Sequence, residues 1–302
     1  MATGMTTYSF IIPHKNITSL LKRCLDSIPS RPDTEIIVVD DNSNAETIEE
    51  LKKLSRDNLQ IIYTKEGKGA GYARNIGVNN AHGKWVLFAD ADDYYEPELD
   101  YFLSDSVQSD ADIIYFNARS EGYLYNRVAH LNYFIELSST DIKRSEFLLK
   151  YAFGEPWCKM VKKDLISKNS ISFEEIPIHN DTQYSYLVGF FAKRIHIEKR
   201  FLYTTTNQPK SVSKQESKKN TLIRTSVFAK KNAFLKRNNI VFFDDLLIEP
   251  FWQCYVQKKI VLLFLCTMIV IYYRISLKLI FSKVLNRRNL VKFHLEIPTY
   301  PK

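Results

Sequence analysis

The chain has 302 residues, which suits one large domain or one domain with an appendage and is long enough to bury a sizeable core. Hydrophobic residues make up 45% of it, and Gly and Pro number only 9 and 10, which excludes a disordered or fibrous protein. The formal charge is +8, and the basic excess is concentrated towards the C-terminus.

Cysteine spacing and the N-terminus limit the class of protein further. No two of the cysteines have CxxC spacing, which argues against a zinc site or redox motif and predicts reduced, buried thiols: Cys24, Cys158, Cys254 and Cys266. Residues 1–8 contain neither the basic nor the apolar region of a signal peptide, so we expect the bulk of the chain in the cytoplasm.

Strands and helices are predicted to alternate in the first third of the chain. Short apolar runs predict strands at residues 8–12, 35–39, 59–63, 84–88 and 112–116. Apolar residues at helical spacing predict helices over 20–28, 44–54 and 70–81. Strands that are apolar along their length and separated by helices predict a parallel sheet covered on both faces.

Polar clusters follow three of these strands, at residues 13–16, 40–43 and 90–93. In open α/β sheets the ligand binds at the carboxyl ends of the strands. The sequence therefore predicts a ligand site at this edge of the sheet.

Asp90 and Asp92 lie two residues apart at a strand end, where extended backbone points both side chains the same way. Two such carboxylates can hold a hard cation such as Mg²⁺ or Mn²⁺, and the cation can neutralise a diphosphate leaving group. The alternative is a solvated acidic turn, because an Asp-x-Asp pattern is common.

Two further features could bind a nucleotide. The pair Asp40-Asp41 can accept hydrogen bonds from a ribose or a base, although an acid there can equally cap the next helix. Arg74 lies one turn into a predicted helix and can reach a nucleotide or form a surface ion pair. The glycines at 67, 69 and 71 match neither a P-loop nor a dinucleotide fingerprint.

The middle of the chain, about 123–213, has a less regular pattern. A helix is predicted to begin near Asp181 and run to Phe191, and residues 203–206 predict a strand. The polar stretch 214–220 predicts a linker.

The order and spacing of these motifs resemble the family 2 glycosyltransferases of the GT-A fold. Over the first hundred residues the resemblance rests on five segments: 11–16, 35–43, 73–77, 81–84 and 88–93. It continues more loosely in segments similar to the acceptor-side half of capsule and cell-surface polysaccharide members: 157–159, 173–175, 180–182, Tyr203 and 211–213. The resemblance implies a GT-A catalytic domain over 1–213, with a nucleotide-sugar-binding half at 1–116 and an acceptor-side half at 117–213.

The resemblance also implies roles for single residues. Asp41 would bind the nucleoside, Asp90 would lie near the ribose, and Asp92, with Asp90, would hold a divalent cation on the diphosphate. Pro13, Asn16 and Arg74 would belong to the same donor site.

Asp181 stands where the family has its catalytic base, and the alternative is that it only caps its helix. The chain departs from the family pattern at Asn180, where the family has a second acid, and at Lys15, where the family commonly has a Tyr that packs on the base.

The function implied is an inverting glycosyltransferase that moves a sugar from a nucleotide diphosphate, with UDP expected, to a lipid-linked or polysaccharide acceptor. One alternative is a sugar nucleotidyltransferase, which expects a Gly- and Arg-rich loop after the first strand that residues 13–16 do not supply. The other is a non-catalytic, membrane-anchored protein that binds nucleotide sugars.

The C-terminal region, 214–302, predicts a linker and a helical tail with an apolar segment at 260–281. Its uncharged core, 260–273, has 14 residues, fewer than the roughly 20 of a membrane span. Basic residues flank it and the one acid after Gln257 is Glu296, which favours anionic lipid over nucleic acid as partner. We therefore expect this tail to hold the protein at the cytoplasmic face of the cell membrane. The alternative is a helix buried against the catalytic domain.

Overall fold

The computed structural model describes residues 6–122, 126–206 and 217–290, with side chains described as far as Leu285. The chain divides into two compact units, Met1–Ser211 and Val212–Lys302. The predicted boundary at 213 and the segment 211–213 of the family resemblance lie outside the described residues.

The first unit is built around one eight-stranded sheet. Its strands are β1 (Tyr8–His14), β2 (Thr34–Asp41), β3 (Leu59–Thr64), β4 (Trp85–Phe88), β5 (Tyr94–Tyr95), β6 (Ile113–Glu121), β7 (Lys159–Lys162) and β8 (Ile195–Thr206). Their order across the sheet is β3-β2-β1-β4-β7-β6-β8-β5. The predicted α/β class is confirmed.

The sheet is mixed, so the prediction of a wholly parallel sheet is wrong. β1 to β4 are parallel, as predicted. Ile11, Val38 and Leu87, at the centres of β1, β2 and β4, are fully buried, whereas the residues of β3 are partly buried or exposed. β7 is antiparallel to both β4 and β6, and β5 is antiparallel to β8. β7 begins and ends in Lys and has only four residues, so its sequence lacks the apolar run by which the other strands are recognised.

Helices of the first unit flank this sheet. They are α1 (Thr18–Ser27), α2 (Ala45–Leu51), α3 (Ala70–Asn80), α4 (Leu99–Ser106), α5 (Ala129–Glu136), α6 (Ile142–Tyr151), α7 (Lys163–Lys168) and α8 (Thr182–Phe191). The stretch 123–213, which the sequence predicted to be less regular, contains four α-helices and the strands β7 and β8 in its described residues. α5 and α6 each bury only two side chains.

Two glycines fix how closely α3 packs on its neighbours. A Cβ at Gly77 would lie 2.3 Å from Cγ2 of Ile11 on β1, and one at Gly71 would lie 2.2 Å from the carbonyl oxygen of Glu174. Any side chain there would push α3 away from the sheet and from the segment before α8. α3 is thus held against β1 at Gly77 and against the segment before α8 at Gly71.

The second unit consists of helices with a separate hydrophobic core. They are α9 (Lys218–Arg237), α10 (Ile248–Val256), α11 (Ile260–Tyr272) and α12 (Leu277–Leu290). Of the predicted linker 214–220, residues 214–216 lie outside the described ranges. Ser217 caps α9 by accepting a hydrogen bond from the Asn220 backbone N–H.

The apolar segment 260–281 is not one helix. α11 ends near Tyr273, Arg274 has a φ of 57°, and α12 begins only at Leu277. Within the described residues, no helix combines the length and the hydropathy needed to cross a bilayer.

Candidate active site

The carboxyl ends of β1, β2 and β4 carry most of the predicted site residues. Parallel pairing sets His14 opposite Asp40, and Ile11 opposite both Ile37 and Phe88. The three polar clusters that follow these strands therefore meet at one edge of the sheet, as the sequence predicted.

Asp41 has one committed and one free carboxylate oxygen. Its Oδ2 accepts a hydrogen bond from the backbone N–H of Gly69 at 2.8 Å, and the Lys15 ammonium lies 3.7 Å from the same oxygen. Its Oδ1 is buried and has no hydrogen-bond partner. A buried acceptor without a partner is costly, so this oxygen is suited to receive an N–H or O–H from a ligand.

Asp40, in contrast, belongs to the scaffold. Its Oδ1 lies 2.8 Å from Nδ1 of His14, and its Oδ2 accepts from the backbone N–H of Ser43 at 3.0 Å. Asn16 joins the same loops, because its backbone N–H donates to Ser43 Oγ and its Oδ1 accepts from the Asn44 backbone N–H, each at 2.9 Å. The two neighbouring acids of β2 thus have different surroundings.

Pro13 and Asn44 complete this rim. Pro13 lies within β1, opposite Val39 of β2, and is partly exposed. Asn44, not an acid, caps α2 by accepting from the Thr47 backbone N–H at 2.9 Å. The capping alternative for Asp40 and Asp41 therefore does not apply to α2 itself.

Arg74 links three parts of the chain. Its Nη2 donates to Asp90 Oδ1 at 2.6 Å and its Nη1 donates to Asn180 Oδ1 at 2.9 Å, while its guanidinium lies 5.4 Å from the centroid of Phe173. The side chain is buried, so the ion pair with Asp90 is not the solvent-exposed contact considered from the sequence. The Asn180 side chain and the Asp90 carboxylate thus both accept hydrogen bonds from the Arg74 guanidinium.

Three carboxylates cluster after β4. Ligand oxygens of Asp90, Asp92 and Asp93 lie within 4.8 Å of one another. Asp93 is fully buried and accepts from Tyr203 Oη at 3.0 Å and from the Thr206 backbone N–H at 2.7 Å, so both of its oxygens are engaged. Asp92, together with Asp90, remains to hold a cation.

The protonation of this cluster also favours a cation. Burial, and next the charge of Asp90, raise the pKa of Asp92 to about 6, and the same causes raise the pKa of Asp93 well above its ordinary value. Crowded carboxylates of this kind are stabilised in the charged form by a divalent ion. Oxygen ligands at this spacing fit Mg²⁺ or Mn²⁺.

Asp181 precedes α8 without capping it. It occupies the N-cap position, yet its side chain makes no capping hydrogen bond. Burial raises the pKa of Asp181 to about 6, and Arg74 opposes that rise. The structure thus gives no support to the capping alternative, and it places the carboxylate in the electrostatic environment of Arg74, Glu155 and Asp90.

Three residues of this region were not recognised as site residues from the sequence: Arg23, Tyr203 and Thr206. Arg23 on α1 donates through Nη2 to the carbonyl oxygen of Asp92 at 2.5 Å and to Thr206 Oγ1 at 3.2 Å. Tyr203 also accepts from the Asp90 backbone N–H at 3.0 Å. These partners are 69 to 183 residues apart in the chain, and only Tyr203 carried a signal, as part of a segment resembling the family.

Comparison with known proteins identifies the family. The model for "Glycosyl transferase family 2" matches residues 9–169, more than half of the chain. This chain belongs to that family, as its motifs predicted. The family is one of glycosyltransferases, and its matched residues include β1 to β4, the acid cluster after β4 and α3 with Arg74.

Two curated relatives support the assignment. Glycosyltransferase GlyA of Streptococcus pneumoniae is 29% identical over 171 residues, which cover 52% of this chain and 25% of GlyA. The poly(ribitol-phosphate) beta-glucosyltransferase of Bacillus spizizenii is 27% identical over 204 residues, 65% of this chain and 31% of that protein. The chain thus spans about a quarter to a third of the length of these relatives.

Two solved structures share the fold. TarS residues 1–349 of S. aureus, in complex with UDP-GlcNAc, has a TM-score of 0.58 at 18% identity and covers 82% of this chain and 80% of its own. The mannosyltransferase PcManGT from Pyrobaculum calidifontis, in complex with GDP-Man and Mn²⁺, has a TM-score of 0.54 at 13% identity, with 94% and 80% covered. The mixed α/β sheet with flanking helices fits the predicted GT-A fold.

Proposed function

We propose that this chain is an inverting glycosyltransferase that uses a uridine-diphosphate sugar and a divalent cation. Its acceptor is a hydroxyl of a cell-surface polysaccharide or lipid-linked glycan at the cytoplasmic face of the membrane. One observation carries this proposal: a free Asp41 oxygen and the Asp90 and Asp92 carboxylates lie at one edge of the sheet, and Arg74 joins that edge to the segment before α8 that ends in Asp181.

The free oxygen of Asp41 favours uracil over guanine. Guanine presents two adjacent N–H groups and would engage both carboxylate oxygens, but Oδ2 is already bound by Gly69. Uracil presents a single N–H between two carbonyl oxygens, which fits one free acceptor. The ammonium of Lys15, 3.7 Å from Asp41 Oδ2, is in reach to donate to a neighbouring carbonyl of the base. UDP-GlcNAc bound to TarS is consistent with this assignment.

Asp92 and Asp90 would hold the cation, and the Mn²⁺ of PcManGT supports a metal in this fold. When bound, the cation offsets the negative charge that develops on the departing diphosphate. Arg74 fixes Asp90 through the 2.6 Å ion pair, and the Tyr203–Asp93 hydrogen bond fixes the loop after β4. This chain's own contribution is therefore a rigid arrangement of ligands that needs little rearrangement on binding.

Asp181 acts as the general base. The acceptor hydroxyl oxygen attacks the anomeric carbon, its proton passes to the Asp181 carboxylate, and the electron pair of the bond to the diphosphate leaves with the diphosphate. One displacement inverts the configuration at that carbon. A single carboxylate is sufficient for this step, and the amide at Asn180 remains bound to Arg74.

The acceptor class is supported by relatives. The Bacillus spizizenii relative is named for poly(ribitol-phosphate), a polymer with free hydroxyl groups. The displacement requires an acceptor hydroxyl, and a comparable surface polymer or its lipid-linked precursor would supply one.

Donor turnover tests the proposal. We expect the full chain to hydrolyse UDP-glucose or UDP-GlcNAc slowly with Mn²⁺, to lose turnover with EDTA, and to turn over GDP-mannose much less. Asp92→Asn should abolish the Mn²⁺-dependent turnover, whereas Asp26→Asn, an exposed acid paired with Lys22, should not. Wild-type turnover by Asp92→Asn would contradict the cation assignment. Pyrophosphate release from UTP and a sugar phosphate would favour a nucleotidyltransferase, and binding without turnover a non-catalytic protein.

A further inference from the structure

A stripe of exposed apolar side chains runs along one side of α11. Its members recur at helical spacing and are between 48% and 79% exposed: Ile260, Val261, Phe264, Met268, Ile271 and Tyr272. We call these six residues the α11 stripe. Contiguous apolar surface of this kind is uncommon on a soluble protein and marks an interaction surface.

The other side of α11 is fixed in the core of the second unit. Leu262, Cys266 and Val270 are at most 7% exposed and pack in one cluster with residues of α9 and α10. Thr225 on α9 donates a hydrogen bond to the Cys266 sulfur at 3.3 Å. The rotation of α11 about its axis is therefore set by packing, and the stripe is the side that this packing leaves uncovered.

The charges around the stripe are of one sign. Lys258 and Lys259 precede α11, Arg274 and Lys278 follow it, and all four are exposed. None of the four forms an ion pair with a described residue, and residues 250–295 contain no Asp or Glu. Near an anionic membrane each such cation adds electrostatic attraction to the surface.

We propose that the α11 stripe binds the surface of a bilayer rich in anionic phospholipid, with the helix axis parallel to the membrane plane. The 13 residues of α11 extend about 20 Å, too short for a hydrocarbon core of about 30 Å, so the helix lies in the interface. Tyr272, at the end of the stripe, suits the headgroup level. This inference deepens the membrane location in the proposed function and rests on it.

Sedimentation of the full chain with phospholipid vesicles tests the surface. We expect binding to vesicles of phosphatidylcholine with phosphatidylglycerol, and much weaker binding to phosphatidylcholine alone. Tyr272→Glu should weaken binding at least about tenfold. It removes an aromatic ring that would be buried in the bilayer interface, and it adds a negative charge that anionic lipid repels. Tyr101→Glu is the matched control, since Tyr101 is a 74% exposed helical tyrosine of the first unit, and it should bind like wild type.

Phe264→Glu, at 61% exposure, is a second variant with the same expected loss, for use if Tyr272→Glu unfolds by circular dichroism. Equal binding by wild type and both folded stripe variants would overturn the proposal. So would a wild-type chain that ignores anionic vesicles but dimerises through the stripe, as measured by light scattering. Mn²⁺-dependent donor hydrolysis in the same samples separates the two proposals: turnover without vesicle binding overturns only this surface, and vesicle binding without turnover overturns only the glycosyltransferase function.

Discussion

At the residue scale, chemistry at this site depends on which acids are already engaged. Asp93 is held by Tyr203 and Thr206, and Asp40 is held by His14 and Ser43. Asp181 makes no capping hydrogen bond, and burial raises its pKa to about 6. A base with a pKa a little below neutral is charged at physiological pH and still able to take a proton in the transition state.

Asp181→Asn should lower kcat by roughly 10² to 10⁴, since that is the usual contribution of a general base, and should leave donor affinity unchanged. Asp181 must be deprotonated to act, so wild-type kcat should fall as pH drops through about 6 and be constant above it. The variant should lose this limb of the pH profile.

Steady-state kinetics across pH, with calorimetry of UDP binding, measures both effects. Asp164→Asn is the control, because it removes an equally negative carboxylate that is exposed and paired with Lys168. If Asp181→Asn abolishes UDP binding, its role is structural rather than catalytic.

At the element scale, α3 positions several groups of the site. Its N-terminus supplies the Gly69 N–H to Asp41, its first turns supply Arg74, and its glycines allow it to touch β1 and the segment before α8. A small shift of α3 would therefore move the nucleoside acid and the Asp90–Arg74 pair together.

Gly77→Ala tests this packing. Its Cβ would lie 2.3 Å from Ile11 Cγ2, so we expect a loss of about 1–3 kcal/mol in the free energy of unfolding, together with weaker UDP binding. Gly154→Ala is the matched control, because no heavy atom lies within 4 Å of its added Cβ. Urea unfolding of both variants supplies the measurement, and equal stability would show that α3 can move away without cost.

At the scale of the whole molecule, the described residues of the candidate site lie in the first unit and the α11 stripe lies in the second. Each unit has its own hydrophobic core: one on the sheet and its helices, the other among α9 to α12. A chain arranged in this way can separate chemistry from attachment, because neither core contributes residues to the other.

A chain ended at Ser213 should fold, retain Mn²⁺-dependent donor hydrolysis, and lose binding to anionic vesicles. It keeps the whole first unit and the segment 211–213 of the family resemblance, but removes α9 to α12. Circular dichroism, the donor assay and vesicle sedimentation test the three parts. An insoluble or inactive fragment would show that the second unit is needed for the fold or for the site.

The sequence by itself determined the elements of the nucleotide-binding half and the family. β1 to β4 could be predicted because each is an apolar run bounded by polar residues, and such a run is a property of neighbouring residues alone. For the same reason, the local sequence was sufficient to place Asp41, Asp90 and Asp92 at strand ends. Local sequence does not show how many of the acids are free to bind a ligand. It also does not show how β7 pairs or which residue Asn180 contacts.

Only the tertiary structure decided which groups are free to act. Asp93 and Tyr203 are 110 residues apart and Arg74 and Asn180 are 106 apart, so no local pattern records that these pairs are already bonded. α11 is apolar on all sides, and its sequence therefore carries no periodicity from which a buried face could be read. Packing against α9 and α10 chose that face, and with it the α11 stripe.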